Sequence, residues 1–143
     1  MLDLTSVRAK LVRSQEHTQT FKNEFGAWSK RHPYSLFKKR NADCTRHSLY
    51  IRVNEMPPLE RWSLIIADAF NNLRNSLDHL IFAISIAESG QSPPPFADKL
   101  QFPITDTPDK FVDAIRKHQL GTISDPVRAK IEDSQPGNVL NSR

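Results

Sequence analysis

Six consecutive residues, Arg74-Asn75-Ser76-Leu77-Asp78-His79, bring together a guanidinium, a carboxamide, a carboxylate and an imidazole. An imidazole titrates near neutrality and can take or give a proton. A guanidinium can hold a phosphate and stabilise negative charge developing on it. The same spacing also suits plain structure. Arg74 and Asp78 are four residues apart and can pair on a helix surface, as can Asn75 and His79. Such a cluster is therefore either a hydrogen-bonded network or a site.

A second group of residues suits a polyanion. Between Lys30 and Arg52, seven cations (Lys30, Arg31, Lys38, Lys39, Arg40, Arg46, Arg52) face only Asp43. Residues 1–58 carry 11 Lys/Arg against 5 Asp/Glu, whereas residues 59–143 carry 9 against 11, so the basic excess is local. With Trp28, Tyr34, Phe37 and Tyr50 nearby, this segment could grip phosphates and stack bases of RNA. We take Lys38, Lys39, Arg40, Arg46 and Arg52 as the candidate RNA-binding residues. An ordinary charged hairpin with its aromatics packed inward is the equally simple alternative.

Other chemistries find less support. Cys44 is the only cysteine, so no disulfide can form within the chain and a reducing compartment is expected. Asp106, Asp109 and Asp113 share a helical face, but carboxylates at a helix start explain the first two without a metal. No His/Cys metal spacing and no glycine-rich phosphate loop occur, so neither metal nor cofactor is expected. The longest apolar run, Leu80 to Ile84, is too short to cross a bilayer, and charges near the start interrupt any leader. The expected setting is cytoplasmic, without membrane partners.

Patterning supplies the elements that must position these groups. Leu4, Val7, Leu11, Phe21, Phe25 and Trp28 recur at helical spacing and predict a helix over 4–30, solvated or bent through its polar middle at 14–20. Tyr34 and Leu36, then Leu49, Ile51 and Val53, alternate with polar residues. They predict a small basic β-hairpin at about 34–54, turning at Asn41-Ala42-Asp43 and closed by Pro57-Pro58. Residues 59–89 contain no Gly or Pro and stop at Gly90, which predicts one long helix. Thr107-Pro108 and Ser124-Asp125-Pro126 start two short helices, the first running to about Gln119 and the second to about Ser134.

On the long helix, Trp62, Ile66, Ala69, Phe70, Leu77, Leu80, Ile81 and Ile84 fall within about 80° of Leu73, which makes this the expected core face. Asp68, Asn71, Asn72, Asn75, Asp78 and His79 form a polar stripe opposite, with Arg74 on its edge. Leu64, Phe82 and Ile86 flank the stripe, so a cover at both ends is expected from another helix or a second copy.

The segment Arg74 to His79 resembles the signature of the HEPN superfamily (higher eukaryote and prokaryote nucleotide-binding domains): Arg, a polar residue, then His after four intervening positions. Arg40 to His47 fits a similar spacing, in the predicted hairpin. The wider stretch Trp62…Asp68-Ala69…Asn72-Leu73-Arg74…Leu77-Asp78-His79-Leu80, with Phe102-Pro103-Ile104 and Gln135-Pro136, is similar to a group of largely uncharacterised bacterial proteins.

The resemblance implies a mainly α fold, a helical bundle around the long helix, with the hairpin as an addition. It implies one HEPN-like domain over 1–136, shortened at its C-terminal end because the similar proteins continue past the Gln-Pro element, then a disordered tail at 137–143. It implies a metal-independent endoribonuclease of the toxin or defence kind, acting as a homodimer and leaving 2′,3′-cyclic phosphate ends, with an antitoxin partner. Arg74 would hold the scissile phosphate, His79 would move the proton, and Asn75 would orient one of them. Arg74 and His79 lie roughly 140° apart around a helix, so two copies must converge. The alternative is a non-catalytic nucleic-acid-binding or protein-interaction module, and a third reading is an inactive fragment.

Overall fold

The computed structural model describes residues 2–137. In chain order they form α1 (Thr5–Lys30), β1 (Tyr34–Arg40), β2 (His47–Val53), α2 (Leu59–Ser89), α3 (Pro108–Arg116) and α4 (Asp125–Asp133). The protein is mainly helical, with one small antiparallel hairpin and one helix of 31 residues. The tail expected at 137–143 lies outside the described residues except for Gly137. That glycine is half-buried, and a Cβ there would collide with the Asp106 carbonyl. No described helix is long and apolar enough to cross a membrane.

The described residues divide into two compact units, one of residues 2–12 and 71–137, the other of residues 13–70. In the second unit α1 runs on as regular helix through its polar middle. Phe21, Phe25, Trp28 and Trp62 form an aromatic cluster, with Trp28 edge-on to Trp62 at 5.6 Å between ring centres. Ser14 Oγ donates to the Ala69 carbonyl at 2.9 Å, and Arg61 Nε donates to Glu24 at 2.9 Å. Pairing of strand to strand is in register from Tyr34↔Val53 to Arg40↔His47. The turn closes on Asn41, whose Oδ1 accepts from Arg46 N–H at 2.8 Å. At the open end the Pro33 carbonyl accepts from Asn54 and Glu55 N–H groups.

The first unit has the larger apolar core. Ile81 of α2 is fully buried against Phe111 of α3, Leu120, Ile123 and Ile131 of α4, with Ile84, Leu100, Phe102, Ile115 and Val127 packed around them. Gly121 has φ +54°, a left-handed conformation that suits glycine, and a Cβ there would sit 2.7 Å from Leu100 and 3.7 Å from Ser85 Oγ. Two small residues thus allow the loop to approach α2 closely. α3 ends at Arg116, three residues before the expected Gln119.

The expected core face of α2 is covered in part: Trp62 and Ile81 are buried and Ile84 packs on the core, but other members of that face are not. Leu73 and Ile66 are exposed, and Phe70 is 66 % exposed, while Ser76 and Ser85 are fully buried. Apolar residues occur on more than one side of this helix. Periodicity groups residues by face, but which face becomes covered depends on where distant segments pack.

Candidate functional site

Two groups of side chains have chemistry to offer, one in each unit. In the hairpin, directly paired residues share a face and so do alternate residues along a strand. One face therefore carries Ser35, Phe37, Lys39, Ser48, Tyr50 and Arg52. Phe37 and Tyr50 are opposite partners, and their rings stack at 5.4 Å between centres with planes 15° apart. The Arg52 guanidinium lies over Phe37 at 5.2 Å from the ring centre. A stacked pair contributes about 0.5–1.5 kcal/mol beyond area, and an exposed cation–π contact roughly 0.5–1 kcal/mol. The two rings are thus held as a preformed stack, each ring a little under half exposed, with Arg52 lying over Phe37.

Toward the turn, Lys39, Arg40, Arg46, Asn41, Ser48 and Tyr50 line a notch of about 170 Å³. Its three cations have no carboxylate among them. Asp43, the lone acid of the segment, accepts from Thr45 Oγ1 at 3.4 Å. Of the five expected RNA-binding residues, the structure groups Lys39, Arg40 and Arg46 around the notch and sets Arg52 on the stack. Lys38 pairs with Leu49 on the opposite face of the hairpin and does not line the notch; Arg40 has the register of that face too but borders the notch from the turn end. Arg40 and His47, the second match to the Arg-to-His spacing, are cross-strand partners. Cys44 is exposed in the turn, with φ +58°, and its sulfur lies 3.9 Å from Arg40 Nη1.

In the other unit the α2 residues are divided by Asp78. Its Oδ1 accepts from the Phe102 N–H at 2.8 Å and lies 3.4 Å from Arg74 Nη2. The carboxylate is thereby committed to the Phe102-Pro103-Ile104 segment and to Arg74. Arg74 borders a cavity of about 450 Å³ with Gln101, Thr105, Lys110 and Lys117 among its walls. His79 borders a different cavity of about 470 Å³ with Asp3, Ser6, Phe82 and Ile86. Within one chain the two candidate catalytic groups thus open into separate spaces, as their angular separation on the helix requires. Asn75 and His79 are exposed, and His79 makes no hydrogen bond or ion pair with another described residue.

One carboxylate and one amide that clamp loops in this unit lie outside every motif of the sequence that carries a role. Glu88 accepts from Ser124 N–H at 2.6 Å and from Ser124 Oγ at 2.7 Å, holding the start of α4. Gln135, buried, accepts from the Thr105 N–H at 2.8 Å and donates to the Ile131 carbonyl at 2.8 Å. The nearest signal in the sequence is the Gln135-Pro136 pair, which carries no role of its own there. Two of the three acids of the 106–113 stretch have basic partners: Asp106 pairs with Lys110 at 2.7 Å and Asp113 with Arg116 at 3.2 Å. The Lys110 ammonium holds the Asp106 carboxyl below its ordinary range. Among the described residues no three His, Cys, Asp or Glu side chains gather as a metal site.

No family model, curated protein or solved structure matches the chain.

Proposed function

We propose that this protein binds single-stranded nucleic acid, RNA in the first instance, through the aromatic and basic face of its β-hairpin. The observation that carries the reading is the exposed Phe37–Tyr50 stack, braced by Arg52 and adjoining a notch lined by Lys39, Arg40 and Arg46. Stacking of a base on an accessible ring of this pair is tolerant of base identity, and the cations supply the backbone contacts. The choice of RNA rests on the HEPN resemblance, under which the hairpin is an addition to a helical bundle. The test is affinity for a short single-stranded RNA measured against salt. Neutralising two or three phosphates lowers log K by about 0.7 per phosphate for each tenfold rise in salt. Binding that ignores salt would remove the proposal.

A second reading adds catalysis: a metal-independent endoribonuclease in which two copies converge, Arg74 of one holding the phosphate and His79 of the other moving the proton, with Asn75 orienting them. It is favoured by the exposure of His79 and by its lack of a partner among the described residues. The internal nucleophile would be the 2′-hydroxyl, leaving a 2′,3′-cyclic phosphate and a free 5′-hydroxyl. RNA cleavage by the intact protein in excess chelator, with the ends assigned chemically, tests this reading separately from binding.

A further inference from the structure

The other face of the hairpin is of a different kind. The pairs Tyr34↔Val53, Leu36↔Ile51, Lys38↔Leu49 and Arg40↔His47 place five large apolar side chains on it: Tyr34, Leu36, Leu49, Ile51 and Val53. Their exposures run from 55 to 70 %. A half-buried strand pair normally turns such residues inward and its charges outward. Here no described part of the chain covers them. A two-stranded hairpin alone is marginal in water, and an apolar patch of several hundred Å² usually marks an interaction site.

We infer that this face seats the same face of a second copy of the protein. Three observations favour that occupant. The first is self-complementarity. A two-fold axis across the strands at the Leu36–Ile51 pair sets Leu36 on Leu36 and Ile51 on Ile51 of the two copies. It also sets Val53 against Leu49 and the Tyr34 ring against the Lys38 side chain, so every apolar residue of the face is covered. The second is charge. In this arrangement Arg40 and His47 fall outside the overlap at opposite ends. The two Arg40 positions lie about 27 Å apart at roughly 3.4 Å per residue, well beyond the screening length of about 8 Å. The third is area. At the observed exposures the five side chains offer under about 500 Å² per copy, taking about 150 Å² each, the lower end of the range for large rings, because four of the five are aliphatic. A standard interface uses about 800 Å² per partner.

A peptide strand added to the hairpin edge would satisfy free backbone groups yet leave this face uncovered. The second copy covers it and keeps the Phe37–Tyr50 platform outward on both sides. The inference stands on a different face from the nucleic-acid reading and is tested without nucleic acid.

The experiment is light scattering coupled to size exclusion, with sedimentation over a range of concentrations, on the full chain. The wild type is expected to associate to a dimer, and Ile51→Asp to run as a monomer with its helical circular dichroism retained. Val53→Glu and Leu49→Lys are each expected to be monomeric alone and to form a dimer when mixed, because only the mixture sets the new carboxylate of one variant against the new ammonium of the other. A wild type that stays monomeric at every concentration overturns the inference, as does a dimer that survives Ile51→Asp. Failure of the mixed pair to reassociate, or binding of the monomer to anionic lipid vesicles in place of self-association, does the same.

Discussion

The Asp78 carboxylate accepts a hydrogen bond from the backbone N–H of Phe102, 24 residues further along the chain, at 2.8 Å. This one bond ties α2 to the Phe102-Pro103-Ile104 segment and positions Arg74 through the same oxygen. Two elements noted separately in the sequence, the Arg-to-His helix segment and the Phe-Pro-Ile segment, are thus parts of one arrangement.

Removing that acceptor leaves a part-buried N–H unmatched and frees Arg74. Asp78→Ala is expected to lower stability by about 1–3 kcal/mol. Asp78→Asn, which keeps a carbonyl oxygen in place, is expected to recover part of the loss. Urea unfolding of the three proteins measures the series. Arg74→Ala is expected to cost less, under about 1 kcal/mol, because its ion pair is partly solvated.

Gln135 is a second clamp, 3 % exposed and bonded at both ends of its amide. Gln135→Ala strands the Thr105 N–H and is expected to cost about 1–3 kcal/mol. Hydrogen exchange at Thr105 should accelerate in this variant. Unchanged protection there would mean that another acceptor serves that amide.

Substitutions on the hairpin platform separate stacking from charge. Phe37→Ala and Tyr50→Ala are each expected to weaken single-strand binding by about 1–3 kcal/mol while leaving the salt slope unchanged. Lys39→Ala, Arg40→Ala and Arg46→Ala are each expected to flatten the slope by about 0.7. Fluorescence anisotropy with a labelled oligonucleotide at several salt concentrations reads both quantities. Lys38→Ala, on the opposite face, serves as the comparison and is expected to change binding least.

Acid sensitivity should trace two exposed pairs. Hydrogen bonds from Arg61 hold the Glu24 carboxyl below its ordinary range, and those from Arg31 do the same for Glu55. A carboxylate depressed on folding contributes stability above its unfolded pKa, and that contribution disappears as pH falls through the folded value. Glu24→Gln and Glu55→Gln are therefore expected to melt below the wild type at neutral pH. The gap should close on acidification through the carboxylate range. Thermal melts across pH check the sign, and a gap that widens toward acid contradicts it.

If the chain cleaves RNA, Arg74→Ala and His79→Ala are each expected to abolish cleavage while leaving binding at the hairpin intact. Because the two groups act from different copies in that reading, mixing the two inactive variants should restore part of the activity. Cleavage that is unchanged in both variants removes the catalytic reading alone.

Much of the architecture was legible in the residues themselves. Pro57-Pro58 and Gly90 bracket α2, and alternation at Tyr34, Leu36, Leu49, Ile51 and Val53 marks the hairpin. These signals act between near neighbours, through backbone sterics and the repeat of helix and strand, so a linear reading captures them. That repeat also places Arg74 and His79 on different sides of one helix. Only the tertiary structure decided which sides were covered. It buried Ser76 and Ser85 and left Phe70 and Leu73 out, and it sent the hairpin's apolar face outward. It also assigned Asp78 to Phe102, Glu88 to Ser124 and Gln135 to Thr105, across 24, 36 and 30 residues. The physical reason is that burial and hydrogen-bond satisfaction are settled by whichever distant segment arrives at a surface, and residue spacing carries no record of that arrival.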